Sequence, residues 1–312
     1  MADLSGALSQ MTVMVLIAAL GFAAAKAKVV TQDMLPGLSR MMINVTLPCM
    51  VLASLSSMGE GGGLQVAQAF VLAVLQFALL MGTAWLCNLA LRTPKDERTL
   101  YLFMAVCTNT GFIGLPVLQA IYGDGSVIIS SVFIMVLSAF IYSVGFGMLA
   151  KQSGRTSGGF PWKQVFNPAM LASVATIVLY LLDLRLPSLL NTALSMAGAI
   201  TAPLAMIVVG VIVAGSSLKG TLGEWRLYPF ILVRQLIAPA LLFFALRGFG
   251  ADPLVTGVFV VMFSMPVGSM ASSFSESMGC DPRLPAKGTV LSTLASFAII
   301  PLLVAMMTLS PL

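Results

Sequence analysis

The chain has 312 residues, of which 59% are hydrophobic and 9% are charged, whereas a soluble domain carries about 25% charged residues. This composition predicts a polytopic membrane protein and excludes a soluble domain. The net charge of +5 comes from basic residues scattered singly, which is not a nucleic-acid signal, and the absence of histidine excludes His-based catalysis, proton relays and metal ligation.

The first apolar run, residues 6–26, follows a stretch with no Lys or Arg. A signal peptide needs a positively charged start, so this run predicts a first transmembrane helix, although GFAAAKA offers a cleavage-like site. At about 20 apolar residues per crossing, the sequence predicts an all-α fold with ten spans. They cover residues 6–26, 37–57, 66–91, 99–121, 126–149, 166–182, 188–214, 227–246, 254–277 and 286–308.

The fourth and ninth spans are interrupted in the middle by polar residues, glycine and proline. Gly and Pro weaken a helix, and polar side chains are costly in hydrocarbon. Non-helical backbone at membrane depth survives only under protein or beside a water-filled cavity, and two such spans in matching halves indicate a transporter's binding site. The interrupting residues are Thr108, Asn109, Thr110, Gly111, Gly114 and Pro116 in span 4, and Ser264, Met265, Pro266, Gly268 and Ser269 in span 9.

The placement of basic residues predicts the orientation. All but four of the 16 Lys and Arg residues fall in one alternating set of loops, which the positive-inside rule assigns to the cytoplasm. Arg185 and Arg247 lie in the opposite set, and Arg40 and Arg234 lie within spans. We therefore expect a multi-pass protein of the plasma (bacterial inner) membrane with both termini on the non-cytoplasmic side. Arg40, close to a span end, is interpreted as an interfacial anchor.

Five spans followed by five of opposite orientation predict an inverted repeat, an architecture of transporters. Pro48 of span 2 matches Pro203 of span 7, and Pro116 of span 4 matches Pro266 of span 9. The predicted units are residues 1–150 for the first repeat, 151–165 for a cytoplasmic loop and 166–312 for the second repeat.

The interrupted spans predict a centre that suits an anion. Proline favours the start of a helix, so we expect Pro116 and Pro266 to begin second half-helices whose free N–H groups face the crossing. The C-terminal carbonyls of the first half-helices suit a cation. No acidic residue falls near mid-span, whereas Arg234 does. The predicted substrate-binding residues are Asn109, Thr108, Thr110, Gly111, Gly114, Pro116, Ser264, Pro266, Ser269, Arg234 and, in span 2, Asn44.

Four segments carry a resemblance to a known family. They are TNTGFIGLPVLQAIYG at 108–123, NVTLPCM in span 2, RQLIAP in span 8 and MPVGSMASSF in span 9. Together they resemble the auxin efflux carrier family, and more narrowly its short prokaryotic members, the malonate or permease-type carriers. Bile-acid sodium symporters have a related fold.

The resemblance implies a scaffold of spans 1, 2, 6 and 7 and a mobile transport domain of spans 3–5 and 8–10. It also implies elevator-type movement, substrate beside the crossover of spans 4 and 9, and a homodimer formed through the scaffold. The expected partners are a small organic anion, such as malonate or an auxin-like acid, and the lipid bilayer, with no nucleic acid and no cofactor.

Other functions remain open. Coupling to Na⁺ or H⁺ would involve Thr108, Asn109 and Glu276, although Glu276 also fits a solvated helix-end residue. A symporter of another small solute is the main alternative, and a channel is a weaker one. An enzyme is disfavoured because the spans hold no Ser–Lys pair, facing aspartates or metal ligands at depth. The four cysteines show neither a disulfide framework nor a metal site.

Overall fold

The computed structural model describes residues 4–57, 63–154, 168–215, 221–247 and 252–309. Throughout these ranges the regular structure is helical, and strand-like pairing is confined to one antiparallel bridge between Thr108 and Val267. This confirms the all-α prediction. Most of the predicted cytoplasmic loop, from residue 155 onward, lies outside the described residues.

The helices follow the predicted spans closely along the chain. In order they are α1 Leu4–Lys26, α2 Leu35–Met41, α3 Leu47–Ala53, α4 Gly63–Ala90, α5 Arg98–Val106, α6 Leu115–Tyr122, α7 Gly125–Phe140, α8 Phe146–Gln152, α9 Pro168–Leu181, α10 Ser188–Ala199, α11 Thr201–Gly215, α12 Leu227–Leu232, α13 Ala238–Arg247, α14 Pro253–Ser264, α15 Met270–Ser277 and α16 Arg283–Leu309. Short 3₁₀ turns cover Gln32–Met34 and Ser54–Ser57.

Four helices contain or adjoin a π-helical turn, in which one extra residue widens the helix. We call these turns π1 Met42–Thr46, π2 Thr110–Gly114, π3 Ile141–Gly145 and π4 Val233–Ile237. π turns are rare and occur frequently at functional sites. The π turns therefore mark places where a functional site is to be sought.

Six of the described helices are long and apolar enough to cross a membrane by themselves. They are Gln32–Ser56, Gly63–Ala90, Gly125–Gln152, Ser188–Gly215, Leu227–Leu246 and Arg283–Leu309. The apolar helices Thr12–Lys26, Thr110–Tyr122, Pro168–Leu181 and Pro253–Ser264 are shorter. The membrane-embedded, helical character is thus confirmed, while ten crossings and an inverted repeat stay predictions.

The interrupted spans lie in the protein interior. Every residue of α14 from Val255 to Ser264 is buried, and α5 is buried over most of its length. Outer helices carry the exposed apolar side chains instead, among them Leu16, Leu20 and Trp85. Broken helices are tolerated at membrane depth only when protein or a cavity covers them, and this placement meets that condition.

Glycines allow several outer helices to approach backbone to backbone, as small residues commonly do in membrane proteins. A Cβ at Gly21 of α1 would collide with the backbone of Ile207 in α11, and a Cβ at Gly210 would collide with Ala18. At Gly198 of α10 a Cβ would lie 2.6 Å from the Met50 Cα in α3. The pairs α1–α11 and α3–α10 are therefore closely packed.

Candidate functional site

The two interruptions meet and hydrogen-bond to each other. α5 ends at Val106 and α14 ends at Ser264, and the backbone beyond each is no longer helical. On either side of the Thr108–Val267 bridge, Asn109 N donates to Pro266 O at 2.8 Å, and Gly268 N donates to Cys107 O at 2.7 Å. The two interrupted spans therefore run antiparallel where they cross.

A cavity of about 340 Å³ lies beside these paired segments. It brings together several predicted site residues from three parts of the chain, two of them the interrupted spans. The predicted residues that line it are Asn44, Thr108, Asn109, Thr110, Gly111 and Ser269. Thr108 Oγ1 and Asn109 Oδ1 are buried and have no hydrogen-bond partner among the described residues. Both side chains therefore keep unused hydrogen-bonding capacity beside the cavity.

Two helix N-termini border the cavity. The second half of span 4 starts at Thr110 with π2 and continues into α6, while α15 starts at Met270 after Ser269. Thr110, Gly111 and Phe112 line the cavity, and the first N–H groups of a helix have no carbonyl within that helix to bond. These N–H groups and the helix dipole favour an anion.

The charges around the cavity have one sign. Arg40 lines the wall, is exposed, and is held by a 3.3 Å hydrogen bond from its Nε to Pro36 O. The described lining residues include no Asp, Glu or Lys. The sequence interpretation of Arg40 as only an interfacial anchor therefore missed its position in the cavity wall.

Apolar side chains form much of the remaining wall. They include Ile43, Leu47, Ile134, Tyr142 and Phe274. Tyr142 and Phe274 contact each other edge to face, with 5.7 Å between ring centroids. Such a wall fits the non-polar body of an organic molecule, whose charged group the helix N-termini and Arg40 can bind.

Three of the four π turns contribute to this wall. Ile43 and Asn44 come from π1, Thr110 to Phe112 from π2, and Ile141 and Tyr142 from π3. Apart from Asn44 and the span-4 interruption, these residues gave no local signal in the sequence. Ser138 and Ser173, which also line the cavity, were missed for the same reason.

The two crossover prolines have different positions. Pro116 is the second residue of α6, but helical conformation already begins one turn earlier, at Thr110. Pro266 does not begin a helix, because α15 starts at Met270, so that expectation was wrong. Pro266 lies in the non-helical segment between α14 and α15, and its carbonyl accepts the hydrogen bond from Asn109 N. Neither proline lines the cavity.

Gly114 and Ser264 support the crossover from behind the cavity wall. A Cβ at Gly114 would lie 3.3 Å from the sulfur atoms of Met262 and Met265, so the glycine permits close packing of span 4 on α14. Ser264 Oγ donates to Gln235 O at 2.7 Å, and Gln235 Nε2 donates back to Ser264 O at 3.1 Å.

Arg234 is also outside the cavity wall and is 1% exposed. Its Nε donates to Ala105 O at 3.1 Å and its Nη1 donates to Met265 O at 2.6 Å. Glu276 lies on the surface near the end of α15 and is absent from the cavity wall. The structure thus brings Arg234, but not Glu276, to the crossover.

The whole arrangement agrees with a family model that matches the chain. A model described as "Membrane transport protein", the family of the auxin efflux carriers, covers residues 7–304. No curated protein matches the chain. The family match is consistent with the resemblance carried by the span-4 and span-9 motifs.

Proposed function

The chain belongs to the membrane transport protein family, and from this premise we propose that it carries a small organic anion, a carboxylate, across the plasma membrane. The family consists of transporters rather than enzymes, and the apolar helices are those of a membrane-embedded protein. In this proposal the substrate binds in the cavity beside the crossover.

The observation that carries the proposal is the chemistry of the cavity wall. It combines Arg40, the N-terminal amides at Thr110–Phe112 and the side chains of Asn109 and Asn44, without an acidic group among the described lining residues. A cation entering this site would meet positive helix ends and an arginine, whereas a carboxylate would gain charge-assisted hydrogen bonds.

The proposed mechanism is alternating access of the elevator type. Spans 3–5 and 8–10 move as a transport domain against a scaffold of spans 1, 2, 6 and 7, and the scaffold forms a homodimer. The cavity wall supports this division, because Asn44 and Ser173 come from the proposed scaffold and Asn109 and Ser269 from the proposed transport domain. Movement of one against the other would open and close the cavity.

Uptake into proteoliposomes tests the proposal. Radiolabelled malonate and indole-3-acetate are the first probes, and we expect saturable uptake of at least one. Asn109→Ala removes a cavity side chain and should reduce uptake by about tenfold, the loss typical of a hydrogen bond to a charged group. The matched control is Asn88→Ala, another buried amide, which bonds Arg98 O away from the cavity.

Three outcomes would contradict the proposal. Uptake that rises linearly with concentration would favour a channel. Equal effects of Asn109→Ala and Asn88→Ala would mean that Asn109 only supports the fold. Uptake of neutral or cationic solutes in place of carboxylates, measured with and without Na⁺ and at several pH values, would favour the alternative symporter.

A further inference from the structure

The guanidinium of Arg234 bridges the C-terminal ends of both half-helices at the crossover. α5 ends at Val106 and α14 ends at Ser264, so their last carbonyls have no partner within the helix. Ala105 O and Met265 O, one from each interrupted span, accept bonds from Arg234 at 3.1 Å and 2.6 Å. One side chain thus binds both ends at once.

Among the described residues, no carboxylate pairs with this buried charge. The ion pairs in that part of the chain are Arg283–Asp281 and Lys287–Glu224, and neither includes Arg234. An unpaired charge is expensive to bury. The compensation available to Arg234 is the negative end of each half-helix dipole, and its two backbone partners lie at those ends.

Helix C-termini with open carbonyls are the kind of site at which transporters hold a coupling cation such as Na⁺. In this chain two such carbonyls are already bonded to a fixed positive group. A second cation at the same oxygens would be repelled by the guanidinium at contact distance. The position that suits an inorganic ion is therefore filled by the protein itself.

We propose that Arg234 is a built-in cation that joins the two interrupted spans and takes the place of an exchangeable metal ion at their C-termini. Arg234 is accordingly a positioning residue: it holds the segments that carry Thr108, Asn109 and Ser269, without lining the cavity. The inference deepens the proposed function, because it makes the wild-type crossover independent of Na⁺ and K⁺.

Thermal unfolding of the purified protein tests this inference without any substrate. The probes are sodium chloride, choline chloride and guanidinium chloride at low millimolar concentration and matched ionic strength. The wild type should unfold at the same temperature in all three. Arg234→Met should unfold at a lower temperature in choline, and Na⁺ or guanidinium should raise its Tm by about 3 °C or more by binding the exposed carbonyls.

Gln235→Met is the matched control, because Gln235 is buried, uncharged, and bonds Ser264 O and Ser292 O at the same crossover. We expect it to lower the Tm without creating any cation response. If Arg234→Met fails to fold, Arg234→Lys tests the inference instead, because lysine keeps the positive charge. We expect Arg234→Lys to fold and to have the same Tm in sodium chloride and in choline chloride.

Several results would overturn the inference. They are a wild type stabilised by Na⁺ over choline, an Arg234→Met protein without a cation response, a Gln235→Met protein with an equal response, or an Arg234→Lys protein that fails as Arg234→Met does. Because none of these measurements needs a carboxylate, failure of the transport proposal and failure of this inference are separate results.

Discussion

The two sides of the crossover differ in the source of the charge that balances the helix dipoles. On the cavity side, the helix N-termini at Thr110 and Met270 present N–H groups to a cavity. On the other side, the carbonyls of Ala105 and Met265 are bonded to a guanidinium of the chain. The same pair of broken helices thus leaves its positive ends open to a molecule from outside, while its negative ends are permanently neutralised. This asymmetry favours an anion as the exchangeable partner.

The largest effect should come from Gly268→Val, which separates the paired segments and so disrupts both sides of the crossover. A Cβ at Gly268 would lie 3.3 Å from Cys107 O and 3.4 Å from the Thr108 carbonyl carbon, both backbone atoms that cannot move freely. The paired segments would separate, and we expect a loss of about 1–3 kcal/mol of stability, as for overpacking elsewhere, together with loss of uptake. Thermal unfolding and uptake measure the two effects.

The control for this prediction is Gly82→Val in α4, where a Cβ would contact nothing within 4 Å. If both valine variants unfold and transport alike, the close pairing at the crossover is not what Gly268 preserves.

An intermediate effect should come from the cavity side alone, by Arg40→Gln. Losing a charge-assisted hydrogen bond should raise the KM for the carboxylate about tenfold. The Tm should change little, since Arg40 is exposed and, among the described residues, bonds only Pro36 O. Arg40→Lys should keep part of the affinity. Arg92→Gln removes another exposed arginine, outside the cavity wall, and an equal rise in KM there would contradict a local role for Arg40.

The smallest effect should come from Glu97→Gln, which removes a charge that belongs to neither side of the crossover. The pKa of Glu97 is raised, mainly by partial burial and then by the nearby negative charges of Glu224 and Asp96. The positive charges of Arg226 and Lys287 oppose this with a smaller effect. A carboxyl whose pKa is raised on folding destabilises the fold progressively as the pH rises from the unfolded pKa to the raised pKa, and fully above it. The wild type therefore loses this part of its stability as the pH rises.

Glu97→Gln should consequently raise the Tm by about 1–2 °C above the raised pKa, and the gain should vanish below the pKa of an unfolded glutamate, near 4.3. Thermal unfolding between pH 4 and pH 8 measures this. A gain that is the same at every pH would show that the charge of Glu97 is not its cause. Uptake should be unchanged.

The sequence predicted the crossover from local chemistry, because polar residues, Gly and Pro inside an apolar run are visible without any tertiary information. Thr108, Asn109, Gly111 and Ser269 were found in this way, and all four line the cavity. The expectation for Pro266 failed because proline is compatible with both a helix start and extended backbone, and only pairing with Asn109 decides between them.

The rest of the site depends on contacts between distant parts of the chain. Nothing near Tyr142 or Phe274 distinguishes their rings from ordinary core aromatics, and Arg40 resembles any arginine near a membrane surface. Arg234 was recognised as unusual, but which helix ends it bonds could not follow from its position in the chain. The π turns also escaped prediction, because the residues around them keep an ordinary helical pattern.

The glycine contacts between α1 and α11 have a mechanical consequence. Gly210 faces the backbone of Ala18 at a distance that admits no side chain, and the residues one turn away on the same helix face are Met206 and Ala214. If α11 slid along α1 by one turn, one of these side chains would have to enter the space that the glycine leaves. The close contact therefore prevents α11 from sliding along α1. The two helices must move as one rigid unit or not at all.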